Sequence, residues 1–183
     1  SLGLVGAEMC IRDRFRSYTF SFEEVRPEIP VLMEYLQIPD SESYALVSEI
    51  VEKTFDELKD SKEIIGGYRV LDCPEVNMRE GIVACSAGYL HTGRKISGYM
   101  KGSGRIALFL CTAGKIFTGL SQAYQQNGDF LEAFVVESIG SATVENAMDK
   151  VQQYLEEDMT EQGKKITNRY SPGSVSYTHL TLP

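Results

Sequence analysis

The chain has 183 residues, with 18 Lys and Arg against 26 Asp and Glu, for a formal net charge of −8. That acidic balance opposes binding to nucleic-acid backbones, which needs clustered basic side chains to displace counterions. No apolar run approaches the ~20 residues that cross a bilayer, and the length suits one domain with a core that needs no disulfide or metal staple.

Both ends read as something other than evolved protein. Residues 175–183 translate DNA of the form GTC TCT TAT ACA CAT CTG ACG CTG CCG, which resembles the transposase mosaic end and adapter of sequencing libraries. The opposite strand, ATG TGT ATA AGA GAC AG, translates to Met9-Cys10-Ile11-Arg12-Asp13, and residues 4–8 resemble upstream adapter with a mismatch at Ala7. Residues 1–14 and 174–183 are therefore expected to be adapter translation and are set aside. Their removal takes away two basic and two acidic residues and leaves the charge at −8. The expected domain is 15–173, truncated on its carboxyl-terminal side. Cys73, Cys85 and Cys111 remain, an odd count without Cys-x-x-Cys spacing. This pattern fits small buried hydrophobes in a cytoplasmic protein better than a disulfide framework or a metal site.

Residues 15–22 are rich in β-prone and aromatic types and form a lead-in segment. Pro27 and Pro30 precede a short helix expected over 31–36. Pro39-Asp40-Ser41 starts a long helix to residue 59, with Tyr44, Val47, Ile50, Val51, Phe55 and Leu58 on one face at a 3.6-residue period. Residues 63–71 turn β-like, and Gly66-Gly67 marks a bulge or a close backbone approach. A short strand is expected over 82–85. Thr92 heads a small helix carrying Ile96, Tyr99 and Met100, broken by Gly102-Ser103-Gly104.

The apolar run 106–111 reads as a strand buried on both faces. After Thr112-Ala113-Gly114 a helix is expected over 115–126, closed by Asn127-Gly128. Asp129 and Glu132 open the last long helix, with Val144, Ala147, Met148, Val151 and Leu155 at helical spacing and Gly163 at its end. Gly140 inside it costs ~1 kcal/mol relative to alanine, so close packing or ligand approach is the expected compensation. Strands and helices alternate without a βαβ rhythm. The expected class is α/β of the α+β type, a single domain with a mixed or antiparallel sheet flanked by helices.

Several motifs read as ordinary structure. Gly102-Ser103-Gly104-Arg105-Ile106-Ala107 fits Gly-x-Gly-x-x-Ala, but it precedes a strand instead of opening a helix onto a pyrophosphate. Gly114-Lys115 is no phosphate loop, since Phe109 and Ile116 stand where the first glycine and the magnesium-binding hydroxyl belong. His91 is the one histidine of 15–173, too few for a multi-histidine metal site. It reads as an exposed loop residue. No Asp-x-His-x-x-Gly segment offers a histidine to cobalt.

The carboxyl-terminal third is more specific. The buried run ending in Thr112, the segment Glu137-Ser138-Ile139-Gly140-Ser141-Ala142-Thr143-Val144-Glu145 and the segment Arg169-Tyr170-Ser171-Pro172-Gly173 occur in that order. Together they resemble the activation domain of vitamin B12-dependent methionine synthase, including its short free-standing relatives. The resemblance is specific over 106–173 and weaker back to residue 31.

In that family an Arg-x-x-x-Gly-Tyr loop binds S-adenosylmethionine. The resemblance makes Arg169 its arginine and Gly173 its glycine, with Ser171 between them and Glu145 near the ligand's ammonium. The tyrosine is replaced by Ser174, a departure that bears on whether the loop is complete. The chemistry is independently suitable. A guanidinium grips a carboxylate through a rigid fork, and Pro172-Gly173 leaves room for a planar base. Without the family, Arg169 reads as a solvated loop residue and Glu145 as a surface helix residue.

The resemblance implies a reactivation module for a cobalamin-dependent methyltransferase, methionine synthase. Its cofactors are S-adenosylmethionine and a cobalamin carried by a partner domain or corrinoid protein. A flavodoxin-like protein is the implied electron donor, with neither nucleic acid nor membrane as partner. The alternative is a non-catalytic adaptor that docks on a separate corrinoid protein with a degenerate ligand loop. A third option is an unrelated methyltransferase or small-molecule enzyme that shares the fold.

Overall fold

Arg16–Phe20 forms β1, paired antiparallel with β2, Ile64–Asp72, in unbroken register from Arg16 opposite Tyr68 to Phe20 opposite Ile64. A computed structural model describes residues 15–38, 41–73 and 75–170. The continuous register leaves no bulge at the paired glycines, and close approach is what they serve. A Cβ on Gly66 would stand 2.7 Å from Cys111 Sγ and Val151 Cγ2, and one on Gly67 would overlap the Arg16 carbonyl oxygen.

β6, Arg105–Thr112, flanks β2 on its other side. Asp72 meets Arg105 at one end and Gly66 lies against Cys111 at the other, so these strands also run antiparallel. β6 corrects the expectation of burial on both faces: only Ile106 is buried along it, and Leu110 is 68 % exposed. An unbroken apolar run says that a strand can be covered on both sides. Where that strand stands in its sheet is set by pairing that such a run does not encode.

Five helices lie wholly or mainly in the same compact unit as β1. α1, Phe22–Val25, is too short for a periodic signal; Glu24 defines it by accepting hydrogen bonds from both the backbone N–H and the hydroxyl of Ser21, each at 2.7 Å. α2, Ile29–Tyr35, starts two residues before expectation because Pro30 fits its first turn, where a missing N–H costs nothing. α3, Ser41–Leu58, buries Val47, Ile50, Val51, Phe55 and Leu58 as the period predicts, but Tyr44 on that stripe is 43 % exposed.

The other two helices of this group come later in the chain, after a second sheet. β3, Glu75–Asn77, β4, Ile82–Cys85, and β5, Gly88–His91, form an antiparallel meander. Of these only β4 is legible in sequence, because all four of its residues are apolar, whereas β3 and β5 carry no such run. α4, Gly93–Tyr99, follows with Thr92 in the N-cap position. Its hydroxyl makes no cap and instead donates to the Gly81 carbonyl at 3.4 Å. Leu71, Cys73, Val83 and Ile106 form the core here, with Met100 and Leu90 packed against it.

α5, Ile116–Asn127, ends at Gly128 in the left-handed conformation, φ +87°. α6, Phe130–Glu161, runs 32 residues and buries Ala147, Val151 and Leu155. Gly163, φ +68°, turns the chain out of it. The class is α+β, with two three-stranded antiparallel sheets and six helices among the described residues. Two compact units are distinguishable. One is built on Phe15–Arg69 and Phe109–Asp158, the other on Val70–Leu108 and residues 159–170. No helix of the described residues is long and apolar enough to cross a membrane.

Candidate functional site

The turn from β6 into α5 builds one end of a cleft. Thr112 Oγ1 accepts from the Gly114 N–H at 3.2 Å, fixing the turn. Gly114 has φ +79°, and a Cβ there would stand 2.7 Å from Glu63 Cβ, so glycine is required on both counts. The Glu63 carboxylate accepts from the Lys115 N–H at 3.3 Å. It thereby sits at the amino end of α5, where the helix dipole favours negative charge. A side chain of the protein takes the place an incoming phosphate would need.

The cleft lies between α5 and α6, has a volume of ≈ 500 Å3, and is open to solvent. Gly140 lets the helices close up: a Cβ there would come 3.1 Å from Phe117 Cδ1 and Cγ. Close packing is thus the compensation for a glycine inside α6. Above that contact stands a polar triangle. Ser121 Oγ donates to Glu137 Oε1 at 2.7 Å, and Gln125 Nε2 donates to both at 3.2 Å. Ser141, one turn on, donates to the Glu137 carbonyl at 3.0 Å. None of the lining side chains is cationic.

The residues expected at a ligand site are placed as follows. Glu145 is exposed on α6, four residues beyond Ser141 and eight beyond Glu137, so it continues the stripe that borders the cleft. It belongs to the unit built on Phe15–Arg69 and Phe109–Asp158. Arg169 belongs to the other unit, half-buried in residues 164–170, which form neither helix nor strand. Its neighbour Tyr170 stacks on Tyr99, with centroids 5.2 Å apart and planes 13° apart. Ser171 and Gly173 lie outside the described residues, as do the two adapter-like ends.

Other candidates settle as structure. His91 is exposed, but it closes β5 opposite Ile82 instead of lying in a loop. Cys73 is buried, and that burial pushes its thiol pKa up, with Cys85 adding to the effect. It is a poor nucleophile and a good core residue. No group of three His, Cys, Asp or Glu side chains among the described residues could hold a metal ion. Gly102 makes a turn before β6, with φ +82°.

The triangle of Ser121, Gln125 and Glu137 is absent from the expectations drawn from sequence. A signal existed: Ser121 and Gln125 follow Phe117 at four-residue steps, placing polar groups on an otherwise inward face. No protein-family model matches the chain, and no curated protein matches it either.

Proposed function

We propose that the chain is an S-adenosylmethionine-binding reactivation module for a cobalamin-dependent methyltransferase, methionine synthase above all. One observation carries the reading. The turn residues Ala113 and Gly114, directly after the strand that ends at Thr112, and Glu137, Gly140, Ser141 and Val144 of the second segment are distant in sequence yet line the same cleft.

The chemistry of that cleft suits the ligand. Its volume falls within the roughly 300–1,000 Å3 of small-molecule sites. Its walls offer the Glu137 carboxylate, hydroxyls and amides but no cation, which favours a ligand bearing an ammonium and a sulfonium. Glu145, one turn beyond Ser141, is assigned the ammonium; for Arg169 the proposal keeps only the carboxylate role that the resemblance gives it. When bound, the ligand would supply an electrophilic methyl group to a corrinoid that a partner holds and a flavodoxin-like donor keeps reduced, leaving as S-adenosylhomocysteine.

The residues of this chain have only to hold and orient the donor. No general base is needed, so the role of Glu137 is to accept hydrogen bonds and not to move a proton. Titration calorimetry with S-adenosylmethionine tests the reading. Saturable binding that weakens on Arg169→Ala supports it, and equal affinity with and without the guanidinium removes Arg169 from the site.

A second reading, the adaptor, has its own observation. Phe130, Leu131 and Phe134 at the start of α6 are all exposed, Phe130 by 70 %. Exposed aromatic clusters mark protein-binding surfaces more often than scattered single residues do. Retention of a corrinoid protein by a chain with no S-adenosylmethionine affinity favours the adaptor.

A further inference from the structure

Cys73 and Cys85 lie in one compact unit and share one core. Cys73 belongs to the buried cluster with Leu71, Val83 and Ile106, and half-buried Cys85 packs against that cluster. The backbone brings the two cysteines to opposing positions. The Ser86 N–H donates to the Asp72 carbonyl at 3.0 Å, and Glu75 pairs with Ala84 in the antiparallel register of β3 and β4. Cys73 and Cys85 stand between those two points, one on each side.

The orientation of Cys73 fits a facing pair. Its N–H donates to the Gly104 carbonyl at 2.9 Å, whereas the carbonyl of Asp72, one residue earlier, is turned to Ser86. Successive residues thus point their backbone groups to opposite sides, which leaves Cys73 facing Cys85 as a non-hydrogen-bonded pair. Such pairs hold their Cα atoms about 4.5 Å apart with side chains close together, within the roughly 4.4–6.8 Å that a disulfide spans. Cys85 is also near enough to push the Cys73 thiol pKa up, second only to burial. Little opposes their meeting. Cys85 donates to the Gly88 carbonyl at 3.2 Å and Cys73 to the Glu75 carbonyl at 3.9 Å, both weak bonds because S–H is a weak donor.

We infer that Cys73 and Cys85 form a reversible dithiol site, which a low-molecular-weight disulfide oxidises to an intramolecular disulfide. The order of events follows from exposure. The Cys85 thiolate, reachable from solvent, attacks one sulfur of the small disulfide; that S–S bond breaks and a small thiolate leaves. Cys73 then gives its proton to solvent and attacks the Cys85 sulfur of the mixed disulfide, expelling the second small thiolate. Two protein thiols are oxidised, one external disulfide is reduced, and the two protons released reach the departing thiolates through solvent. Burial makes Cys73 slow to start the exchange. Once the mixed disulfide stands opposite it, its attack is intramolecular. Neither thiol is among the residues assigned to S-adenosylmethionine, so the site stands whether or not that ligand binds.

The test treats the full native chain with oxidised glutathione, blocks the remaining thiols and maps tryptic peptides by mass spectrometry. Trypsin places the two cysteines in separate peptides, 70–79 and 80–94, each with a single cysteine. The expected product joins these two peptides, lacks two hydrogens and comes apart on adding dithiothreitol. Cys73→Ser should stop at the mixed disulfide, with one glutathione held on Cys85, and a bare Cys85 in that variant overturns the inference. So does a wild-type chain in which glutathione stays on Cys85, in which either cysteine bonds to Cys10 or Cys111, or in which neither reacts. Joining of the two peptides only after the chain is unfolded in urea overturns it too. The wild-type map decides by itself, so a Cys73→Ser variant that fails to fold leaves the test intact.

Discussion

Ser121 donates from Oγ to Glu137 Oε1 at 2.7 Å, joining the buried face of α5 to the bordering stripe of α6. The bond links two helices whose registers are independent, so it can form only at one helix–helix setting. Removing the donor tests how much of the cleft depends on it. Ser121→Ala should destabilise the fold by about 1 kcal/mol, towards the lower range for bonds to charged groups because Glu137 keeps access to water. Urea denaturation measures this. No change in midpoint would mean that Gln125 replaces the lost donor.

Gly140→Ala sets two effects against each other. Alanine gains ~1 kcal/mol in helix propensity, but its Cβ would press on Phe117 at 3.1 Å. Phe117 is buried, so the ring has little room to retreat. Overpacking of this kind costs about 1–3 kcal/mol, and the expected net result is destabilisation of about 1 kcal/mol. A stabilised Gly140→Ala variant in urea would show that α5 and α6 can separate freely.

An alkaline limb should be visible in the stability profile. The Tyr68 phenol is buried and donates to Asp158, which also pairs with Arg16. Burial first, then the bond to Asp158, pushes the phenol pKa up. A raised folded pKa gives stability that is full below the unfolded value, near pH ~10 for tyrosine, and lost as pH climbs above it. Tyr68→Phe should flatten that loss relative to wild type when denaturation is repeated above about pH 10. Parallel profiles for both proteins would exclude Tyr68 as the cause.

The sequence makes some of these features legible and hides others for physical reasons. α3 is plain because Val47, Ile50, Val51, Phe55 and Leu58 repeat at the helical period and are all buried. Gly128 and Gly163 mark helix ends because both require positive φ. By contrast α1 and β3, of four and three residues, are too short to show any period. The exposed face of β6 could not be foreseen, since Leu108 and Leu110 look like core residues wherever their strand stands. The polar triangle depends on how α5 crosses α6, a tertiary fact to which Ser121 and Gln125 alone only hint. The stack of Tyr170 on Tyr99 joins positions 71 residues apart and leaves no local trace.

The central proposal is that a guanidinium grips the carboxylate of S-adenosylmethionine, and Ser174 stands where the loop that this segment resembles has a tyrosine. Calorimetry on the chain carrying Ser174→Tyr, with and without Arg169→Ala, tests that claim most directly. The account predicts tighter, saturable binding on Ser174→Tyr and a loss of about ten- to a hundred-fold on adding Arg169→Ala, the value of charge-assisted hydrogen bonds. Equal S-adenosylmethionine affinity in the presence and absence of Arg169 would contradict it.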